Sequence, residues 1–209
     1  MYAIVTDNKI TKLINNPKAM VIGDVQYPAK IFQLWSTSEL NAIGIYEVVF
    51  DDSNKKDEKW YINTDQSFAF ADDTVTASHG SSTPKAHADT LWTQDEINDG
   101  DAPEGISPGD VKIRGLKYNL IKTVKAQAAG ILQDTDWYVV RKADSGTAVP
   151  SAVTTHRAAV RTKAAEQETA IINAADTPAL ETLYTYVNTG TEKNPVYERP
   201  LGELPTLES

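Results

Sequence analysis

The chain has 209 residues, 41% apolar and 23% charged, which are ordinary globular proportions that exclude collagen-like repeats and argue against global disorder. Its 20 Lys and Arg against 29 Asp and Glu leave a formal charge of −9, a balance that repels phosphate backbones and counts against nucleic-acid binding. Cysteine is absent, so disulfides, thiolate nucleophiles and Cys-ligated zinc are ruled out.

No apolar run approaches the roughly 18 residues of a membrane span. The opening stretch MYAIVTDNKITKLI carries Asp7 and Lys9 and is poor signal-peptide material. A soluble product with no membrane contact, folding from near Met1, is expected.

Tyr2 to Val5 and Ile10 to Ile14 are β-prone runs separated by Thr6-Asp7-Asn8-Lys9, which predicts a hairpin. Ala19 to Ile22 is a third short apolar run. Ser36 followed three residues later by Glu39 has the spacing of a capping box, and Gly44 supplies a left-handed stop for the short helix between them. Ile45 to Phe50 reads as a strand. Beyond a charged connection, Trp60 to Ile62, Phe68 to Phe70 and Thr74 to Ala77 read as further short strands. Residues 1–77 therefore form a small β-rich module with one short helix.

Residues 78–109 have linker composition. DEINDGDAPEGISPGD is acidic and contains three Gly and two Pro, and Leu91-Trp92 is the one docking anchor. From 110 onward the period becomes helical. Ser107-Pro108-Gly109-Asp110 has the chemistry of a helix start. Ile113, Leu116, Leu120, Val124, Ala128 and Ile131 then trace one stripe to about Leu132. Gly115 and Gly130 interrupt that helix, and close packing is the expected reason. A second helix is predicted from Pro150 to about Ala175. Val153, Val160, Ala164 and Ile171 lie on its inner face, with His156, Arg157 and Arg161 among its polar residues. A third begins at Thr177-Pro178 and runs to about Val187. The remaining tail contains Pro195, Pro200 and Pro205 and is expected to be extended. The fold class is thus α+β: a β-rich module, then a helical hairpin module over 110–209 ending in a Pro-rich tail.

Catalytic and metal-binding patterns are not met. Asp95 opens a stretch reminiscent of a calcium loop, but Ile97 and Ile106 stand where oxygen ligands are needed. His79 and His87 lack the helical spacing of a zinc pair. No glycine-rich phosphate loop occurs. No catalytic, metal or cofactor site is predicted, and the chain is not read as an enzyme.

Two stretches do carry a resemblance. Residues 27–49, YPAKIFQLWSTSELNAIGIYEVV, resemble a pattern of small tail proteins of tailed bacteriophages. Ile131-Leu132, then Thr135-Asp136-Trp137, then Val149-Pro150 and the helix with Arg157 and Arg161, resemble the carboxy-terminal block of tail-fibre assembly proteins. The resemblance implies a virion tail component, present in the host cytoplasm during assembly and oligomeric within that assembly. It implies fibre or baseplate proteins as partners and no cofactor, with Trp137, Tyr138, Arg157 and Arg161 as partner contacts. A transient fibre-assembly chaperone is the nearest alternative. A carbohydrate- or receptor-binding module using Trp35, Trp60 or Trp92 is another, and a depolymerase ranks last. Physical chemistry alone gives the Asp-Trp element a local role, with Asp136 turning the chain and Trp137 burying its ring between the helices.

Overall fold

The computed structural model describes residues 1–207; positions 208–209, the end of the expected Pro-rich tail, lie outside the described residues. Two compact units divide between Thr83 and Pro84.

In the first unit, β1 (Tyr2–Thr6) and β2 (Lys9–Ile14) form the expected hairpin. Asp7 and Asn8 both take positive φ, 52° and 59°, as a tight primed turn requires. A second hairpin joins β3 (Met20–Ile22) to β4 (Val25–Tyr27). Two short helices follow, α1 (Ile31–Leu34) and α2 (Thr37–Ala42). The capping box of α2 is formed: Ser36 Oγ accepts from the Glu39 N–H at 3.3 Å, and Glu39 Oε2 accepts from the Ser36 N–H at 2.7 Å. The Ser36 hydroxyl, which also donates to Glu39 Oε2 at 2.7 Å, and then the Ser36 N–H hold the Glu39 carboxyl below its usual range. Gly44 has φ +81°, the left-handed stop that was expected.

The strands β5 (Ile45–Asp51), β6 (Tyr61–Ile62), β7 (Gln66–Ala71) and β8 (Thr74–His79) complete this unit. Five strands form a sheet in the order β2-β1-β5-β8-β7, with β5 and β8 parallel and the other neighbours antiparallel. The sheet curls until β2 and β7 approach one another. Alternation along β5 divides the core between its faces. Val48 joins Ala3, Val5, Val75 and Ala77 on one face, with Phe68 and Phe70 against them. Ile45 faces the other way and packs with Ile31 and Leu40 of the short helices. Trp60 is buried, which removes it as a sugar platform. Phe50 is half exposed because it lies near the end of β5, beyond the packed cluster.

A two-residue strand, β9 (Thr83–Pro84), straddles the division between the units. The stretch expected to be linker is folded. It contains β10 (Thr90–Leu91) and α3 (Gln94–Asn98), and β10 pairs antiparallel with β11 (Val111–Ile113) just beyond it. A second capping box, Thr93 with Glu96, starts α3. Lys112 reaches back to Glu96 at 2.6 Å and Arg114 to Asp89 at 2.6 Å. Composition missed this arm because its bonds close between residues far apart in sequence. Ser107-Pro108 starts no helix: Asp110 Oδ2 accepts from the Ser107 N–H at 2.8 Å, making a turn before β11.

The helix begins later than expected, as α4 (Leu116–Gln133), and is followed by α5 (Asp136–Ser145), α6 (Ser151–Asn173) and α7 (Thr177–Tyr184). Lys117 near the start of α4 donates to the Ile172 carbonyl near the end of α6, at 2.7 Å. Arg157 near the start of α6 bonds Leu132 at the end of α4, so the two helices run antiparallel. Their interface buries Leu120, Val124 and Ala128 from α4, and Val153, Val160, Ala164 and Ile171 are buried along α6, the face expected from their spacing. His156 and Arg157, expected among the outward polar residues, are also buried. Both sit on the same side of the helical wheel as Val153 and Val160, so their position turns them inward.

The tail is strapped down. It forms β12 (Val187–Asn188) and β13 (Tyr197–Glu198), an antiparallel pair. Leu201 is buried and its N–H donates to the Leu183 carbonyl at 3.0 Å. Gln167 Nε2 donates to the Gly202 carbonyl at 2.9 Å. Among the described residues, no helix is long and apolar enough to cross a membrane.

Candidate functional site

The junction between α4 and α5 is organised by one side chain. Arg157 is 8% exposed, and its Nη1 donates to the Leu132 carbonyl at 2.6 Å and to Thr135 Oγ1 at 2.7 Å. Its Nη2 donates to Asp136 Oδ1 at 2.8 Å. Thr135 is itself buried and donates to the same Leu132 carbonyl. The guanidinium therefore ties a carbonyl at the end of α4 to an acidic side chain in the first turn of α5. Arg157 positions the α5 helix; it does not reach the surface as a contact.

Helix α5 buries none of its residues. It stops at Gly146, φ +75°, whose N–H donates to the Lys142 carbonyl. Trp137, Val139 and Val140 are exposed, Val140 by 66%. The Trp137 and Tyr138 rings lie 3.8 Å apart between centroids, and the Arg141 guanidinium lies 4.7 Å from the Trp137 ring centre. Trp137, Val140 and Arg141 share a face through i, i+3 and i, i+4 spacing. Arg141 Nε is buried with no hydrogen-bond partner among the described residues. The result is an aromatic, arginine-capped surface on a helix whose apolar side chains are only partly covered.

Of the four residues expected at a partner contact, Trp137 and Tyr138 lie together on this helix. Arg161 is exposed one turn beyond Arg157, and Arg157 is internal. Burial of the Trp137 ring between the helices is corrected: the Arg157 guanidinium occupies the junction, and Trp137 is 51% exposed. Sequence reasoning missed α5 altogether, and with it Val140 and Arg141. The signals were present: Asp136 in the first turn, Lys142 in the last, and Gly146 just past the end.

Other clusters are structural. His79 Nδ1 lies 2.8 Å from the Thr64 carbonyl, with Nε2 3.8 Å from Asp52. Trp92 lies partly buried beneath the Lys112 ammonium at 4.3 Å, and Trp35 meets Tyr27 edge-on at 5.8 Å. Glu96 is pushed down to about 2, first by the Lys112 ammonium and then by the Thr93 N–H. No group of three His, Cys, Asp or Glu among the described residues is placed to hold a metal ion. Comparison of the chain with protein-family models, with curated protein sequences and with solved structures found no match.

Proposed function

We propose that this chain is a structural protein of a bacteriophage tail, located at the fibre attachment or baseplate region, where it binds fibre or baseplate subunits and helps assemble them. The reading starts from the tail-protein resemblance of residues 27–49 and of the Thr135-Asp136-Trp137 block. The observation that carries it is α5, a helix with no buried residue that nonetheless presents Trp137, Val140 and Arg141 on one face. Partly exposed aromatic side chains capped by arginine have the composition of interface hot spots.

In this proposal no covalent chemistry is performed. Arg157 fixes the angle of α5, and α5 meets the partner. Mass spectrometry of purified particles tests it: the intact polypeptide is expected alongside fibre and baseplate proteins. Recovery from infected lysate alone favours the transient chaperone, and recovery from neither contradicts both.

A further inference from the structure

From the first unit we infer that the cleft between β2 and β3 is a docking site for an extended, acidic segment of a partner protein. The cleft has a volume of about 470 Å³ and is lined by Ile4, Lys12, Ile14, Lys18, Met20 and Val21, among others. One wall is the face of the β1–β2 pair, where Ile4 and Lys12 are cross-strand partners, and the other is β3. β3 pairs with β4 alone, so it offers a row of backbone donors and acceptors on its free side, whereas the unpaired side of β2 is approached by β7. Leu13 and Val21 are exposed beside the cleft, Val21 by 63%.

Charge selects the occupant. Among the described residues Lys12 and Lys18 form no ion pair. Lys9, Lys12, Lys18 and Lys30 face Asp24 as the one acid between positions 8 and 38, in a chain whose net charge is −9. Residues 8–38 are thus a cationic stretch in an otherwise acidic chain. A second copy added edge to edge would set lysine against lysine, which disfavours self-pairing. An extended foreign segment bearing Asp or Glu matches both features: its backbone continues the ladder and its carboxylates meet the two ammonium groups. Alternation along that segment would lay an apolar side chain over Ile4, Ile14 and Met20. The inference uses no residue of α5 and does not depend on the phage reading.

The test uses the full chain, isotope-labelled for NMR, and two peptides. The probe is Ac-Thr-Glu-Val-Glu-Val-Glu-Thr-NH2, and the control replaces each Glu with Lys. The acidic peptide is expected to shift amides of residues 12–16 and 18–21, with an affinity that weakens as salt rises. The double variant Lys12→Glu, Lys18→Glu should lose about tenfold or more in affinity. Both lysines are exposed, so its circular dichroism and melting should match the parent. Equal binding of the two peptides, or no shift with either, overturns the inference. So does an equal response to inorganic phosphate alone, which marks a simple anion pocket.

Discussion

Gly115 sits so close to the Ala88 carbonyl that a Cβ added there would lie 2.3 Å from its carbon and oxygen. Its N–H also donates to Asp89 Oδ1 at 2.8 Å, so the start of α4 is fitted against the 84–91 segment by a residue with no side chain. Gly130, in the last turn of the same helix, has nothing within 4 Å of such an atom. The two glycines are therefore expected to respond with opposite sign. Gly115→Ala should destabilise by about 1–3 kcal/mol through overpacking. Gly130→Ala should stabilise by about 0.5–1 kcal/mol through helix propensity. Urea midpoints of the two variants against the parent check both.

Arg157 and Trp137 separate folding from docking. Removing the buried guanidinium takes the charged donor from Thr135 Oγ1, Asp136 and the Leu132 carbonyl at once, so Arg157→Ala should cost about 2–3 kcal/mol. Arg157→Lys should rescue little of this, since an ammonium cannot reproduce the forked geometry. Trp137→Ala and Val140→Ser remove exposed side chains and should stay within about 0.5 kcal/mol of the parent. Thermal unfolding of the four variants distinguishes the two groups.

The α3 capping box makes a pH prediction. The Glu96 carboxyl is held down to about 2 in the folded chain against an ordinary value of 4.5. Its contribution is complete above pH 4.5 and is lost as pH falls from there towards 2. The Glu96 carboxyl carbon should titrate near 2 by NMR. Lys112→Ala should move that midpoint upward, because Lys112 supplies the largest share of the shift.

Local chemistry was legible in the sequence. Asp7-Asn8 turned the chain, Ser36 and Glu39 capped α2, and Gly44 stopped it, each through residues within a few positions of one another. The acidic stretch failed for the opposite reason. Thr90 pairs with Ile113 and Asp89 with Arg114, contacts that Gly and Pro content cannot reveal. At the candidate site, the Asp136-Trp137 element pointed to the segment that forms α5 but to a different geometry. A local reading made Trp137 core and Arg157 surface, whereas the Leu132 carbonyl and Thr135 hydroxyl draw Arg157 inward and Trp137 stays outside.

The proposed role of α5 is tested most directly by a photo-crosslinking amino acid placed at Val140 in particles that contain the chain. Irradiation is expected to join Val140 to a fibre or baseplate subunit, and the same probe at exposed Lys193 should give no such product. The adduct should weaken when Trp137→Ala is added. No adduct from Val140, or an equal yield from Lys193, would contradict α5 as the docking surface.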